Sequence, residues 1–167
     1  DDLGGGPQKV GVAVADLFTG MYATVAILAA LRHAERTGEG QAIDMALLDA
    51  QVAMLANLGA TYLVGGRYEG QVPGRMGNAH QNVVPYQVFE VAPAAAGTKD
   101  YVILAVGNDS QFAKFCAIAG HPEWATDARF TSNSLRVRNR GELIPLLEAV
   151  FKTRSKTDWL TSLEAAK

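Results

Sequence analysis

Asp16 is the residue with the most chemistry to offer. It follows a small apolar run, Val10 to Ala15, and stands directly before a helical pattern. A carboxylate there has two compatible uses. As a helix cap it accepts a bond from a backbone N–H two or three residues on. As a reactive group it is kept ionised by the positive end of the helix dipole. An ionised, partly desolvated carboxylate is a competent nucleophile toward an activated acyl group.

The other candidates are weaker. His33 sits late in the same helical pattern, where an imidazole suits the negative helix end. His121-Pro122 follows a helix stop and reads as loop. His80 lies between Asn78 and Gln81 in a glycine-rich stretch, so it is the histidine with a plausible role at a site. Cys116 shares helical spacing with Phe112, Phe115 and Ala119 and reads as a core thiol. Arg129, Arg136, Arg138 and Arg140 form a locally basic run. Such a run is ordinarily a solvated face, with a phosphate contact as the alternative. Neither a GxGxxG nor a P-loop spacing occurs, and no histidines or carboxylates share metal-ligand spacing, so no metal is expected.

The elements that must position these residues follow from periodicity and turn chemistry. From Leu17 the pattern is helical and apolar on nearly every side, which predicts a buried helix ended by Gly38. Gln41 to Met45 reads as a short strand, and Ala46 to Val64 as a second helix ended by Gly65-Gly66. Residues 65–82 are polar and glycine-rich, and a domain boundary is expected there. Beyond it come strands over Val83–Val91 and Tyr101–Val106. A helix capped by Asp109 or Ser110 runs through Ala119 to a stop at Gly120. Further helices are expected near Leu143–Lys152 and Thr157–Ala166, the last capped by Thr157 or Asp158. The domains are thus residues 1–66 and 67–167.

Composition bounds the class. The chain has 167 residues, 49% of them hydrophobic and 19% charged, with net charge −2. That much apolar mass supports a folded core and argues against disorder. Without a basic excess, binding nucleic acid through bulk charge is not expected. One cysteine cannot make an internal disulfide. The apolar stretch Met21 to Leu31 is short for a bilayer, and no targeting leader is read, so a cytoplasmic, non-membrane protein is expected. Two apolar helices and one short strand cannot satisfy their own hydrophobic faces. Residues 1–64 therefore need a partner, either another chain or further sequence.

These residues resemble a known family. The segment Val12-Ala13-Val14-Ala15-Asp16-Leu17-Phe18-Thr19-Gly20-Met21-Tyr22-Ala23 is similar to the active-site segment of family III coenzyme A transferases. The likeness continues through Thr37-Gly38-Glu39-Gly40-Gln41, Ile43 to Ala50, Gly77-Asn78-Ala79-His80, Val84 to Phe89 and Asn133 to Arg140. It implies an α/β and α+β protein. Part of a large domain would be followed by a small α+β domain with a short antiparallel sheet. It implies Asp16 as nucleophile, forming first a mixed anhydride and then an aspartyl-CoA thioester. Gly77, Asn78, His80 and Gln81 would lie in a mobile loop over the substrate, and Leu47 beside the acyl group. Acyl-CoA, such as succinyl-CoA, and a carboxylic acid are the implied substrates, with no permanently bound cofactor. The implied assembly is an interlocked homodimer of chains about twice this length, this chain being a central piece and a poor enzyme alone.

Two other readings stay open. An α-methylacyl-CoA racemase would use the same aspartate as acid or base. A non-catalytic assembly fragment would use Asp16 only as a helix cap.

Overall fold

A computed structural model of the chain describes residue 6 and residues 9–65 and 72–165. The chain divides between Arg75 and Met76 into two compact units. The expected boundary at 66/67 lies outside the described residues.

The first unit is helical. α1 runs Val14–Thr37 and ends at Gly38, whose φ of 79° is left-handed and whose N–H donates to the Ala34 carbonyl. Only glycine adopts that turn without strain. Thr19, Thr24 and Thr37 return their hydroxyls to carbonyls four residues back, so polar groups in this apolar helix are satisfied locally. No α1 residue is buried, and Leu17, Met21, Val25 and Leu28 are each more than half exposed. The expectation of a buried helix thus fails among the described residues, because what α1 packs on there is too small to cover it.

Two further differences have the same root. Residues 41–45 run without strand structure, since no second strand lies beside them among the described residues. The expected second helix is broken. α2 spans Leu47–Met54, then α3 spans Ala56–Ala60 and runs into a π-helical turn at Thr61–Gly65, bent 73° from α2. Asn57 and Gly59 are weak helix formers, which favours a break in this stretch.

By length and composition α1 is able to cross a bilayer, and so is the bent pair taken together. The apolar stretch is therefore not too short: helix geometry extends it upstream of Met21 and past Leu31. A 24-residue helix is about 36 Å long.

The second unit is α+β around one core. β1 (Tyr86–Val91) pairs antiparallel with β2 (Asp100–Ala105), in a register that sets Phe89 opposite Val102 and Gln87 opposite Leu104. Alternation turns Phe89, Val91, Val102 and Leu104 inward. The helices α4 (Asp109–Ala119), α5 (Asn133–Arg138), α6 (Arg140–Phe151) and α7 (Lys156–Glu164) complete the unit, with a 3₁₀ turn at Pro122–Ala125. Phe151 is central: its ring lies 4.5 Å from Phe89, 5.7 Å from Phe115 and 4.6 Å from Trp159. The Trp159 indole N–H donates to the Phe151 carbonyl at 3.0 Å. Two caps differ from expectation by a residue or more. Asn108 caps α4 by accepting from the Gln111 N–H, and Ser155 caps α7 by accepting from the Asp158 N–H. Helix α5 was not anticipated; Ser132 caps it.

A buried guanidinium joins these elements. Arg136 is fully buried in α5 and lies over the Phe112 ring. It donates to the Val84 carbonyl at 2.7 Å, the Phe130 carbonyl at 2.9 Å and the Asp109 carboxylate at 2.8 Å. Arg136→Met strands two buried carbonyls, so it is expected to cost about 2–5 kcal/mol of stability. Arg129, exposed between Asp127 and Glu142, is the control: Arg129→Met is expected to leave the unfolding midpoint nearly unchanged. Urea denaturation of both variants checks the contrast.

Candidate active site

Asp16 lies in the first turn of α1, three residues beyond the residue that flanks the helix start. That residue is Ala13, and no side chain caps this end. The cap reading is therefore corrected: the helix starts upstream of Leu17, which moves Asp16 inside it. Its carboxylate is exposed and makes no hydrogen bond or ion pair among the described residues. A first-turn carboxylate still gains from the helix dipole. Thr19, one turn on, spends its hydroxyl on the Ala15 carbonyl.

Between α1 and α2 lies an open apolar groove of about 380 Å³. Tyr22, Val25 and Ala29 line one side, Met45, Asp49 and Ala53 the other. Leu47 opens α2 and is 52% exposed, and it is not among the described residues lining this groove.

The other expected residues belong to the second unit. Met76 to Ala79 form a turn in which the Ala79 N–H donates to the Met76 carbonyl at 3.0 Å. Gly77 has φ of 57°, a conformation that favours glycine. Gly77 and Asn78 are exposed, while His80 and Gln81 are half-buried. The His80 ring stacks on Tyr86, with centroids 5.3 Å apart and planes 12° apart. Its Nδ1 accepts from the Asn82 N–H at 3.0 Å, and its backbone N–H donates to the Tyr86 carbonyl at 2.8 Å. Gln81 Oε1 is buried with no partner among the described residues.

This segment is held by side chains from a distant part of the chain. Arg140 donates through Nη2 to the Gln81 carbonyl at 2.6 Å and the His80 carbonyl at 3.3 Å. Asn133 donates to the Asn82 carbonyl at 2.8 Å and accepts from the Val84 N–H at 3.1 Å. Arg136 takes the Val84 carbonyl. Asn133 and Arg136 are three apart on α5, an interval that aligns side chains on one helical face, and Arg140, four residues on, opens α6. Sequence reasoning missed this clamp and took the arginines for a solvated run. The three-four spacing was the available signal. Arg129 is also engaged, and its hydrogen bonds hold the Asp127 carboxyl down at about 2. Arg138, like Arg129, is exposed.

A sequence model of CoA-transferase family III matches residues 2–167. The chain belongs to this family. A succinate–glutarate CoA-transferase of Agrobacterium fabrum is 49% identical over 160 residues, covering 96% of this chain and 38% of that protein. The human succinyl-CoA:glutarate CoA-transferase is 41% identical over 163 residues, covering 97% of this chain and 35% of that protein. A crystal structure of a CAIB/BAIF family protein from Brucella suis aligns at a TM-score of 0.68 and 45% identity, covering 99% of this chain and 41% of that one. The chain thus spans well under half the length of these relatives. Mixed helices with a short antiparallel two-stranded sheet agree with the fold expected for this family.

The other candidates raised by the sequence have ordinary duties. His33 is exposed on α1, and its carbonyl receives the Thr37 hydroxyl. His121 bonds Glu123 at 2.9 Å and stacks on Trp124 at 4.1 Å. Among the described residues no His, Cys, Asp and Glu group is arranged to hold a metal. Cys116 is fully buried, and burial pushes its thiol up to about 11. The unfolded thiol ionises near 9.0, so unfolding releases a proton between these values and stability falls as pH rises through that window. Iodoacetamide at pH 8 is therefore expected to leave Cys116 unmodified in the folded protein and to alkylate it in urea.

Proposed function

We propose that this chain is a central part of an enzyme that moves coenzyme A from an acyl-CoA, such as succinyl-CoA, to a carboxylic acid, with Asp16 as nucleophile. The observation that carries this reading is the Asp16 carboxylate: exposed at the start of α1, free of structural bonds among the described residues, in a chain of family III. The 49% identity to a protein named succinate–glutarate CoA-transferase supports the substrate class.

The chemistry exchanges nucleophiles at carbonyl carbons. An Asp16 oxygen attacks the thioester, the C–S bond breaks, and CoA leaves as thiolate with a mixed anhydride formed. The thiolate attacks the aspartyl carbonyl and releases the donor acid as carboxylate, leaving an aspartyl-CoA thioester. The acceptor carboxylate attacks that carbonyl, expels the thiolate and forms a second anhydride. Thiolate attack on its acyl carbon yields the new acyl-CoA and restores Asp16. Electrons and protons balance without a redox partner. Division into covalent steps lowers each barrier, and backbone N–H groups at the α1 start stabilise the developing oxyanion.

The loop bearing Gly77, Asn78, His80 and Gln81 binds substrate in this reading, and Leu47 contributes to the acyl pocket. The exposed faces of α1 and α2 are covered by the rest of a longer polypeptide and by a second copy in an interlocked homodimer, rather than by lipid. The chain spans 38% of its Agrobacterium relative, which leaves ample polypeptide for that role.

Asp16→Ala in the full-length protein is expected to abolish CoA transfer. With no cap to lose, stability should change by less than about 1 kcal/mol. Transfer assays and thermal denaturation check both. Deuterium entry at the substrate α-carbon without transfer indicates a racemase instead. Full transfer by Asp16→Ala removes the aspartate from the mechanism.

A further inference from the structure

We propose that Arg140 is a positioning residue for His80, and that the group it positions is the imidazole Nε2–H, a hydrogen-bond donor for the carboxylate of the acid substrate. The inference rests on the functional reading above.

The tautomer follows from geometry. The Asn82 N–H donates to Nδ1 of His80, so Nδ1 carries no proton. The neutral ring then carries its proton on Nε2. Nε2–H has no acceptor among the described residues. The ring is fixed by the stack on Tyr86 and by the His80 N–H bond to the Tyr86 carbonyl. Beside it, the buried Gln81 Oε1 is also without a partner among the described residues. The pair His80–Gln81 therefore holds one donor open to an incoming ligand and one buried acceptor, Gln81 Oε1, without a partner among the described residues, and it is the buried acceptor that is costly to leave unmet.

Arg140 explains how this arrangement persists. Its Nη2 holds the carbonyls of both residues, and Nη1 lies 3.9 Å from Met76 Sδ. One planar guanidinium thus spans the start of the turn and the residues that carry the donor. An ammonium has no such fork. The same engagement favours carboxylate over phosphate as the ligand. The Arg140 guanidinium is spent on backbone carbonyls, so at Nε2 an anion meets one neutral donor. A monoanionic carboxylate suits that donor, whereas phosphate is best held by free arginine forks.

The experiment uses the full-length enzyme and a double-mutant cycle. His80→Phe keeps an aromatic ring over Tyr86 and removes the donor. Arg140→Met keeps the stem and removes the fork. Each is expected to raise KM for the acid about 10–100-fold, as loss of a hydrogen bond to a charged group does. KM for the acyl-CoA should stay within about twofold, by the near-independence of separate sites. Together the two changes should exceed the larger single effect by no more than about twofold, because both act through one group. His80→Gln, which retains a donor nitrogen, should recover part of the loss. Multiplicative effects, an unchanged KM for the acid, or an equal rise in KM for the acyl-CoA overturn the proposal. Nitrogen-15 NMR of labelled histidine needs no turnover. It should find His80 as the Nε2–H tautomer in the parent and an exchange-averaged ring in Arg140→Met. An Nδ1–H tautomer, or a ring indifferent to Arg140→Met, overturns the positioning role even where activity is normal. A parent enzyme that transfers no CoA to any acid overturns the functional reading and the carboxylate assignment with it, while the tautomer result stands apart.

Discussion

Burying a guanidinium is expensive, and Arg136 buries one completely. The cost is met by three acceptors drawn from three places: Val84 before β1, Phe130 after the 3₁₀ turn, and Asp109 in the first turn of α4. Each must stay where it is for the charge to stay satisfied. The second unit is therefore tied together at this side chain. The aromatic core around Phe151 supplies the apolar burial, and Arg136 fixes which segments border it.

Asn133 on α5 and Arg140 at the start of α6 then extend this order to a segment without regular structure. Residues 80–84 have no helix or strand to absorb their backbone groups, yet most of their carbonyls are occupied. Asn133 mimics a neighbouring strand by bonding one carbonyl and one N–H. Arg140 does for His80 and Gln81 what Arg136 does for Val84. A loop held this way has its backbone groups paired much as a strand's are.

Much of this was legible locally, and the rest was not for identifiable reasons. Gly38 and Gly120 stop helices where expected because a left-handed turn depends on one residue. The strands of the second unit follow from alternation, and Cys116 is core because its helical neighbours are. Asp16 looked like a cap because aspartate often is one. The actual start at Ala13 has no distinguishing side chain, so nothing in the sequence marked it. The strand expected at 41–45 needs a neighbour that the described chain does not contain. The clamp joins residues about fifty positions apart, side chain to backbone, and backbone acceptors leave no trace in residue type. Arginines that bind carbonyls read like arginines that face water.

The first unit presents a different constraint. α1 carries an apolar surface that nothing among the described residues covers, and the Asp16 carboxylate stands in its first turn. The account makes Asp16 the covalent carrier of the acyl group and then of CoA. The direct measurement is peptide mass spectrometry of the full-length protein, quenched during turnover with succinyl-CoA and trapped with hydroxylamine. The account predicts a hydroxamate on Asp16 that is absent without acyl-CoA. Unmodified Asp16 under conditions where CoA transfer proceeds would contradict it.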